Sequence, residues 1–97
     1  MNIHESAEDY LEKILMLQEQ KGSVRSIDIA VAMGFSKPSV SVAMKNLREK
    51  GHITVTDAGY IYLTDSGKKI AEMVYERHDV LMHYLISLGV AEKTAEE

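Results

Sequence analysis

The sequence predicts a mainly α-helical fold with a small β-hairpin, arranged as a winged helix-turn-helix followed by a long helix of the dimerisation type. Three observations predict this fold. Residues 26–51 contain two apolar patterns of helical period, separated by Gly34. Residues 53–63 then alternate between apolar and polar side chains, as strands do. A third and longer helical pattern starts near Asp65.

The first helix of the central pair is short. Ile27, Ile29, Ala30 and Met33 recur at a spacing that makes one apolar helical face. Gly34 follows the last of them and is the residue type best able to adopt a positive φ. We therefore expect Gly34 to end this helix and to turn the chain.

The second helix of the pair carries a basic outer stripe. Ser36 is placed to cap it, and Pro38 supplies a preset φ near its start. The side chains expected to face inward are Val40, Ala43, Met44 and Leu47. Those expected to face outward are Lys37, Ser41, Lys45 and Arg48, and Gly51 closes the helix. Such a helix fits the major groove of DNA, although a helical hairpin with merely solvated lysines has the same pattern.

The hairpin follows directly. Ile53 and Val55 precede a turn at residues 57–59, and Ile61 and Leu63 follow it, so one face is aliphatic and the other carries hydroxyl groups. A two-stranded hairpin is marginal alone and needs helices beneath it. The tip, Asp57-Ala58-Gly59, has no arginine or lysine, so we expect the wing to contribute little to phosphate binding.

Helices are predicted on both sides of this unit. The first is expected to start with a capping box at Ser6 and to run to Gly22. Its apolar stripe comprises Ala7, Tyr10, Leu11, Ile14 and Leu17. Thr64 should cap a long helix from Asp65 to Leu88, which Gly89 stops, and residues 91–97 resemble the start of another helix. The inward residues of the long helix are expected to be Ile70, Val74, Leu81, Leu85 and Leu88.

The domain organisation follows from these elements. Residues 1–70 are predicted to form the DNA-binding domain, and residues 71–97 the long helix and the start of a dimerisation and metal-binding domain. The first and the long helix carry more apolar side chains than one small domain needs to bury, which favours a homodimer over ordinary surface hydrophobes. The surplus includes Met16, Met73, Tyr84 and Ile86.

Charge is segregated along the chain. The 97 residues carry a net charge of −4, but residues 20–70 hold eight basic and four acidic side chains, which gives +4. Residues 1–19 and 71–97 each give −4. Binding to phosphates needs only a local basic face, so the central segment remains compatible with DNA.

Composition also argues against other classes. There is no cysteine, no glycine-rich phosphate loop and no placed serine-histidine-acid set, so an enzyme is not expected. No apolar run is long enough to span a bilayer, and the first residues are polar rather than those of a signal sequence. We therefore expect a cytoplasmic protein with no membrane partner.

The order of elements and four short motifs resemble the metal-dependent repressors of the diphtheria toxin repressor family. The motifs are Ala-Glu-Asp-Tyr-Leu-Glu-Lys-Ile at 7–14, Pro-Ser-Val-Ser at 38–41, Leu-Thr-Asp-Ser-Gly-Lys-Lys at 63–69 and Arg-His at 77–78. Within that family the chain is most similar to the manganese transport regulators, because Asp9 and Glu12 fall where that branch draws metal ligands from its first helix. His78 matches the ligand on the long helix.

The resemblance implies a dimer that binds a divalent metal between the first helix, the long helix and the next one. Asp9, Glu12 and His78 would be the ligands, and carboxylates with one imidazole suit Mn²⁺ or Fe²⁺. From the residues alone, His78 is equally explained as a hydrogen-bonded packing residue, Asp9 as part of a capping box and Glu12 as a surface charge.

Two departures concern the metal site. In the family, an acidic and histidine-containing cluster on the helix after Gly89 completes the site, whereas this chain ends at Glu97. We therefore expect a truncated chain with a partial site. Met82 stands four residues beyond His78, where many relatives have a glutamate.

The resulting hypothesis is a repressor of metal homeostasis genes whose binding to double-stranded operator DNA is activated by Mn²⁺ or Fe²⁺. The side chains expected at the groove are Lys37, Ser39, Ser41, Val42, Lys45 and Asn46, with Ser36 and Pro38 at the helix start. Those expected at the DNA backbone are Arg25, Arg48, Lys68 and Lys69. A winged-helix regulator that does not respond to metal, and a winged helix used for protein interaction, are the alternatives.

Overall fold

The computed structural model describes the backbone of residues 7–87 and the side chains of residues 7–83. Over this range the elements follow in the predicted order. The helices are α1 (Ala7–Lys21), α2 (Ser26–Met33), α3 (Lys37–Glu49) and α4 (Asp65–Ser87), and the strands are β1 (Ile53–Val55) and β2 (Ile61–Leu63). The predicted fold class, mainly helical with one hairpin, is confirmed.

The turn between α2 and α3 forms as the sequence predicts. Gly34 adopts the left-handed conformation, with φ of 73°, and its N–H donates to the Ala30 carbonyl at 2.9 Å. The two helices meet at a bend of 120°. Crossing angles of this size are typical of a helix-turn-helix, in which the second helix projects from the body of the domain.

Ser36 caps α3, as predicted. Its Oγ accepts the N–H of Ser39 at 3.3 Å, and Pro38 lies in the first turn, where a missing amide donor costs nothing. Val40, Met44 and Leu47 are buried on the inner face of the helix.

The core lies between α1, the helix pair and the hairpin. Leu11 and Ile14 of α1, Ile29 of α2, Val40 of α3 and Ile61 of β2 are each fully buried. Because every one of these elements contributes a side chain to the same cluster, none of them can shift without opening the core.

The wing is tied to the segment that joins α1 to α2. The strands pair in antiparallel register, with Val55 opposite Ile61. The Ile61 N–H donates to the Val24 carbonyl at 2.8 Å, and the backbones of Arg25 and Tyr60 form an isolated antiparallel β-bridge. Residues 24 and 25 therefore bond to the edge of the two-stranded sheet through an isolated bridge, which sequence periodicity alone did not indicate.

The first turn of α4 packs against the turn after α3. Thr64 caps α4, as predicted: its Oγ1 accepts the Gly67 N–H at 3.2 Å and donates to the Gly51 carbonyl at 2.7 Å. The Ser66 hydroxyl donates to the same carbonyl at 3.2 Å and contacts His52 Nδ1 at 3.0 Å. These bonds fix the direction in which α4 leaves the domain.

Two residues predicted to face inward are exposed instead. Ile27 is 44% exposed, because the inner face of the short α2 is already filled by Ile29 and Ala30. Leu81 is 55% exposed. Arg77, one turn before Leu81, already pairs with Glu8 in the first turn of α1, so Leu81 lies beyond the part of α4 that packs on residues 7–21.

Other predictions fall outside the described residues. These are the capping box at Ser6, the inward positions of Leu85 and Leu88, the stop at Gly89, the side chains of Tyr84 and Ile86, and the further helix at 91–97. The predicted inward positions of Ile70 and Val74 are confirmed, since Val74 is buried and Ile70 half-buried.

Taken singly, no helix within residues 7–87 is long and apolar enough to cross a bilayer, and only α2 and α3 together, across their bend, reach that length and composition.

Replacing Gly67 by alanine should destabilise the junction between α4 and α3. Alanine is the better helix former by about 1 kcal/mol, but an added Cβ would overlap the His52 carbonyl, which is backbone and cannot rotate away. We expect a net loss of about 1–3 kcal/mol in the free energy of unfolding, measured by urea denaturation. Lys69→Ala, an exposed change in the same turn, is the control. A Gly67→Ala protein as stable as that control would contradict this packing.

Candidate nucleic-acid interface

The outer face of α3 is free to meet a ligand. Lys37, Ser41, Lys45 and Arg48 are all exposed, as predicted. Within residues 7–83 no ion pair or hydrogen bond engages the ammonium groups of Lys37 and Lys45 or the guanidinium of Arg48. Val42 is 61% exposed and Asn46 is also exposed. The helix therefore presents both cations and groups able to contact base edges.

Two of the predicted contact residues also serve the fold. Ser36 Oγ donates to Ser39 Oγ at 3.0 Å while it accepts the Ser39 N–H. Both hydroxyls are thus already engaged in the cap of α3. Pro38 lies beside them and is exposed, so the start of the helix is rigid as well as accessible.

A groove separates α3 from the wing. We call it the α3–wing groove, and two recesses that share Ser26 and Ser41 form it. The lining residues at its upper end are Arg25, Ser26, Ile27, Lys37, Ser41 and Gly59. Those at its lower end are Ser26, Ser41, Met44, Lys45, Arg48 and Val55. Four cations therefore line a single groove beside the candidate recognition helix.

Arg25 reaches the wing tip. Its Nη2 donates to the Ala58 carbonyl at 2.6 Å, and its guanidinium carbon lies 5.0 Å from the centre of the Tyr60 ring. The prediction that the wing contributes little to phosphate binding was based on the tip residues 57–59, which include no arginine or lysine. The structure brings an arginine there from the segment before α2, through a long-range contact that no periodic pattern in the sequence indicates.

Asp28 holds the base of Arg25 in place. Its Oδ1 accepts from Lys21 Nζ at 2.6 Å, and its Oδ2 accepts the Arg25 N–H at 2.9 Å. The hydrogen bond from Lys21 and then the one from the Arg25 backbone lower the pKa of Asp28 below its ordinary value of 3.8. The carboxylate thus stays charged and anchors the start of α2.

The remaining predicted backbone contacts are accessible. Lys68 and Lys69 are exposed in the first turns of α4. They lie at a different edge of the domain from α3, since Lys68 lines a recess with α1 and β2, and Lys69 one along α4.

A second group of polar residues joins α1 to α4. His78 Nδ1 lies 3.0 Å from Glu12 Oε2, and Arg77 Nη1 lies 3.5 Å from Glu8 Oε1. The Glu12 side chain is 14% exposed, whereas that of His78 is 55% exposed. Two of the three predicted metal ligands, from two different helices, are therefore in direct contact.

The third predicted ligand does not complete a cluster. Asp9 is half-buried on α1, three residues before Glu12. Among the described residues no group of three or more histidine, cysteine, aspartate or glutamate side chains is close enough to hold a metal ion. One carboxylate and one imidazole fit a divalent metal as part of a donor set, and they are equally a hydrogen-bonded pair that fastens α1 to α4.

An exposed basic helix, a wing beside it and a groove lined by cations define a winged helix-turn-helix DNA-binding domain. The chain belongs to the family described as iron dependent repressors, whose N-terminal DNA-binding domain matches residues 2–59. The resemblance noted from the sequence motifs is thereby confirmed.

Individual relatives agree with this membership. The transcriptional regulator MntR of Escherichia coli is 34% identical over 91 residues, covering 94% of this chain and 59% of that protein. The HTH-type transcriptional regulator MntR of Bacillus subtilis is 36% identical over 88 residues, covering 91% and 62%. Both are regulators by name, which agrees with the prediction that the chain is not an enzyme. The chain thus spans about three fifths of the length of these relatives.

A solved structure supports the fold. The complex of Staphylococcus aureus MepR with DNA superimposes with a TM-score of 0.66 at 30% sequence identity, covering 84% of this chain and 60% of that one.

Removing the charge of Asp28 should destabilise the protein in a pH-dependent way. A carboxyl whose pKa is lowered by folding stabilises the native state above its unfolded pKa, and this stabilisation is lost as the pH falls through the folded value. Asp28→Asn should therefore be less stable than the native chain at pH 7, with a difference that shrinks below pH of about 4. Urea denaturation from pH 7 to pH 3 measures it. Glu19→Gln, which removes an exposed carboxylate of α1, is the control. If the difference in unfolding free energy between the native chain and Asp28→Asn did not change with pH, this role of Asp28 would be contradicted.

Proposed function

We propose that this chain is the DNA-binding part of a transcriptional repressor whose affinity for operator DNA is increased by a divalent metal, Mn²⁺ or Fe²⁺. Residues 1–70 carry the DNA-binding domain and residues 71–97 begin the part that dimerises and binds metal. The observation that carries the proposal is the exposed cationic face of α3, whose charges have no ion-pair partner within residues 7–83, in a chain of the iron dependent repressor family.

The DNA half of the proposal is supported by local charge. Lys37, Lys45 and Arg48 project from one helix beside the wing, whereas α1 and α4 carry most of the acidic side chains within the described residues. Ser41 and Val42 lie on the same exposed part of the helix and can contact base edges, with Val42 suited to a thymine methyl group. Asn46 is also exposed, and it lies on the side of α3 that lines a recess with α1, so it would reach a base edge from that side. Ser36, Pro38 and Ser39 position the start of the helix, while Arg25, Arg48, Lys68 and Lys69 contact the DNA backbone.

The metal half is supported by the contact between α1 and α4. Glu12 and His78 already meet, and Asp9 lies one turn away on the same helix as Glu12. A bound divalent ion supplies two positive charges that favour carboxylate and imidazole donors over water, and it joins the helices that carry them. The residues of this chain then hold α1 and α4 in one arrangement, which raises DNA affinity if DNA binds that arrangement best.

Dimerisation is supported by α4. Met73, Val80, Leu81 and Met82 are between 52% and 66% exposed on this helix. Apolar side chains concentrated in this way are typical of partner surfaces. A homodimer acting in the cytoplasm would place two copies of α3 on half-sites about one helical turn apart on the operator.

Substituting Lys45 should weaken DNA binding. Lys45 lies in the middle of the exposed face of α3, so Lys45→Gln should lower affinity for duplex DNA at least several-fold and reduce the slope of log affinity against log salt by about one. Fluorescence anisotropy with a labelled duplex at several salt concentrations measures both quantities. Lys50→Gln removes an equal charge at the end of α3, where Lys50 lines a recess with α1 instead, and should have little effect. A chain that binds no duplex at any salt concentration would favour a protein-interaction module.

Substituting the proposed metal ligands should abolish the response to metal. Mn²⁺ should raise the melting temperature of the full-length protein, since a ligand that binds only the folded state stabilises it, and should raise its DNA affinity. In the same protein, Glu12→Gln and His78→Gln should lose both responses. Glu8→Gln, which removes the neighbouring pair with Arg77, should keep them. If the full-length protein responds to neither Mn²⁺ nor Fe²⁺, a metal-independent regulator is the better description.

A further inference from the structure

The residues of the wing tip provide no positive charge of their own. Residues 57–59 carry one charged side chain, Asp57, and it is negative. Because the wing lies beside α3, it would be close to the DNA backbone. A tip with only a negative charge would repel that backbone. The nearest cation in sequence on either side, Lys50 or Lys68, belongs to a different element, so any positive charge at the tip must come from elsewhere in the fold.

Arg25 supplies that charge. Its guanidinium is held at the tip by the 2.6 Å bond to the Ala58 carbonyl and by the ring of Tyr60. A Cβ built on Gly59 would lie 3.4 Å from Arg25 Nη2 and 3.5 Å from Nε, so the side chain runs along the hairpin backbone at this glycine. The side chain is also exposed, which leaves its charge available to a ligand.

The other wall of the groove carries a second cation. Lys37, at the start of α3, lines the same recess as Arg25 and Gly59, with Ser26 and Ser41 between them. Its ammonium group makes no ion pair among the described residues. Two cations from two elements thus face one recess of about 340 Å³.

We propose that Arg25 and Lys37 together bind one phosphate of the DNA backbone in the α3–wing groove, with Arg25 acting as the cation of the wing. The inference rests on the proposed DNA binding and adds to it the point at which the wing and α3 clamp the same strand. Arg25 is also a positioning residue, because the same guanidinium fixes the tip of the hairpin.

The chemistry of the two side chains suits this role. A guanidinium has five N–H donors in a planar fork, and within the part of the chain that the structure describes the Arg25 guanidinium donates only to Ala58, so donors remain for phosphate oxygens. The contacts with Ala58 and Tyr60 restrict the side chain before DNA arrives, which lowers the entropy cost of binding.

We assign a nucleic-acid strand as the occupant because cations line the whole length of the groove. Lys45 and Arg48 line the lower end of the groove, which shares Ser26 and Ser41 with the upper end. A series of cations along a groove follows a polymer of phosphates rather than a single small anion.

The test measures salt dependence. The full 97-residue chain and its variants are titrated against a fluorescein-labelled duplex of about 20 base pairs and arbitrary sequence, because binding to phosphates does not require the operator. The variants are Arg25→Gln, Lys37→Gln and their double, with Lys50→Gln as the matched loss of one charge outside the groove. Thermal denaturation checks that each variant folds, and Arg25→Lys restores the charge without the planar fork.

Each single variant should lower affinity and reduce the slope of log affinity against log salt by up to about one. In the double variant the slope should fall by about one in total, since a single phosphate is involved. If the two side chains bound two independent phosphates, the slope would fall by about two. Arg25→Lys should keep most of the native slope, and Lys50→Gln should keep all of it.

Three results would overturn the proposal while leaving DNA binding intact. One is an Arg25→Gln protein that binds more weakly with an unchanged slope, which would mean that Arg25 only holds the hairpin. Another is a Lys37→Gln protein with an unchanged slope, a test that stands even if Arg25→Gln does not fold. The third is a double variant whose slope of log affinity against log salt falls by about two. A native chain with no salt-dependent affinity at all would instead overturn the proposed function itself.

Discussion

Residues 24 and 25, which join α1 to α2, hold the helix-turn-helix and the wing together through their bonds to residues 60 and 61. Val24 is fully buried, and its carbonyl accepts the Ile61 N–H, so the segment between α1 and α2 contributes to the core and is bonded to the wing. Arg25 then begins α2 through its backbone contacts with Asp28 and reaches the wing tip with its side chain. One dipeptide thereby sets the relative positions of the helix-turn-helix and the hairpin. A two-stranded sheet is marginal alone, and these bonds support it.

Local charge matters more for this protein than net charge. The chain is acidic overall, but the α3–wing groove is lined by cations from two parts of the sequence, Arg25 and the helix α3. Negative side chains are used elsewhere for structural pairs, as in Glu8 with Arg77 and Asp28 with Lys21. This separation allows a protein of net charge −4 to present a surface suited to a polyanion, and it keeps association sensitive to salt.

The contacts between α1 and α4 fasten the long helix to the rest of the domain. Glu12 and His78 meet at 3.0 Å on two helices that are distant in sequence. One turn further along α4, Leu81 is exposed, although its spacing from Val74 and His78 predicted an inward position. Val80 and Met82 are exposed beside it, so this part of α4 presents several apolar side chains at its surface.

The elements, their order and the outward face of α3 could be predicted from the amino-acid sequence. Apolar periodicity, the glycines at turns and the caps at Ser36 and Thr64 are local signals, because each depends on residues within one or two turns of the chain. Which residues from distant segments meet could be learned only from the folded chain. The position of Arg25 at the wing tip, the exposure of Ile27 and the contact of Glu12 with His78 depend on how whole elements pack. Such contacts span 33 to 66 positions, and no periodic pattern within one element specifies them.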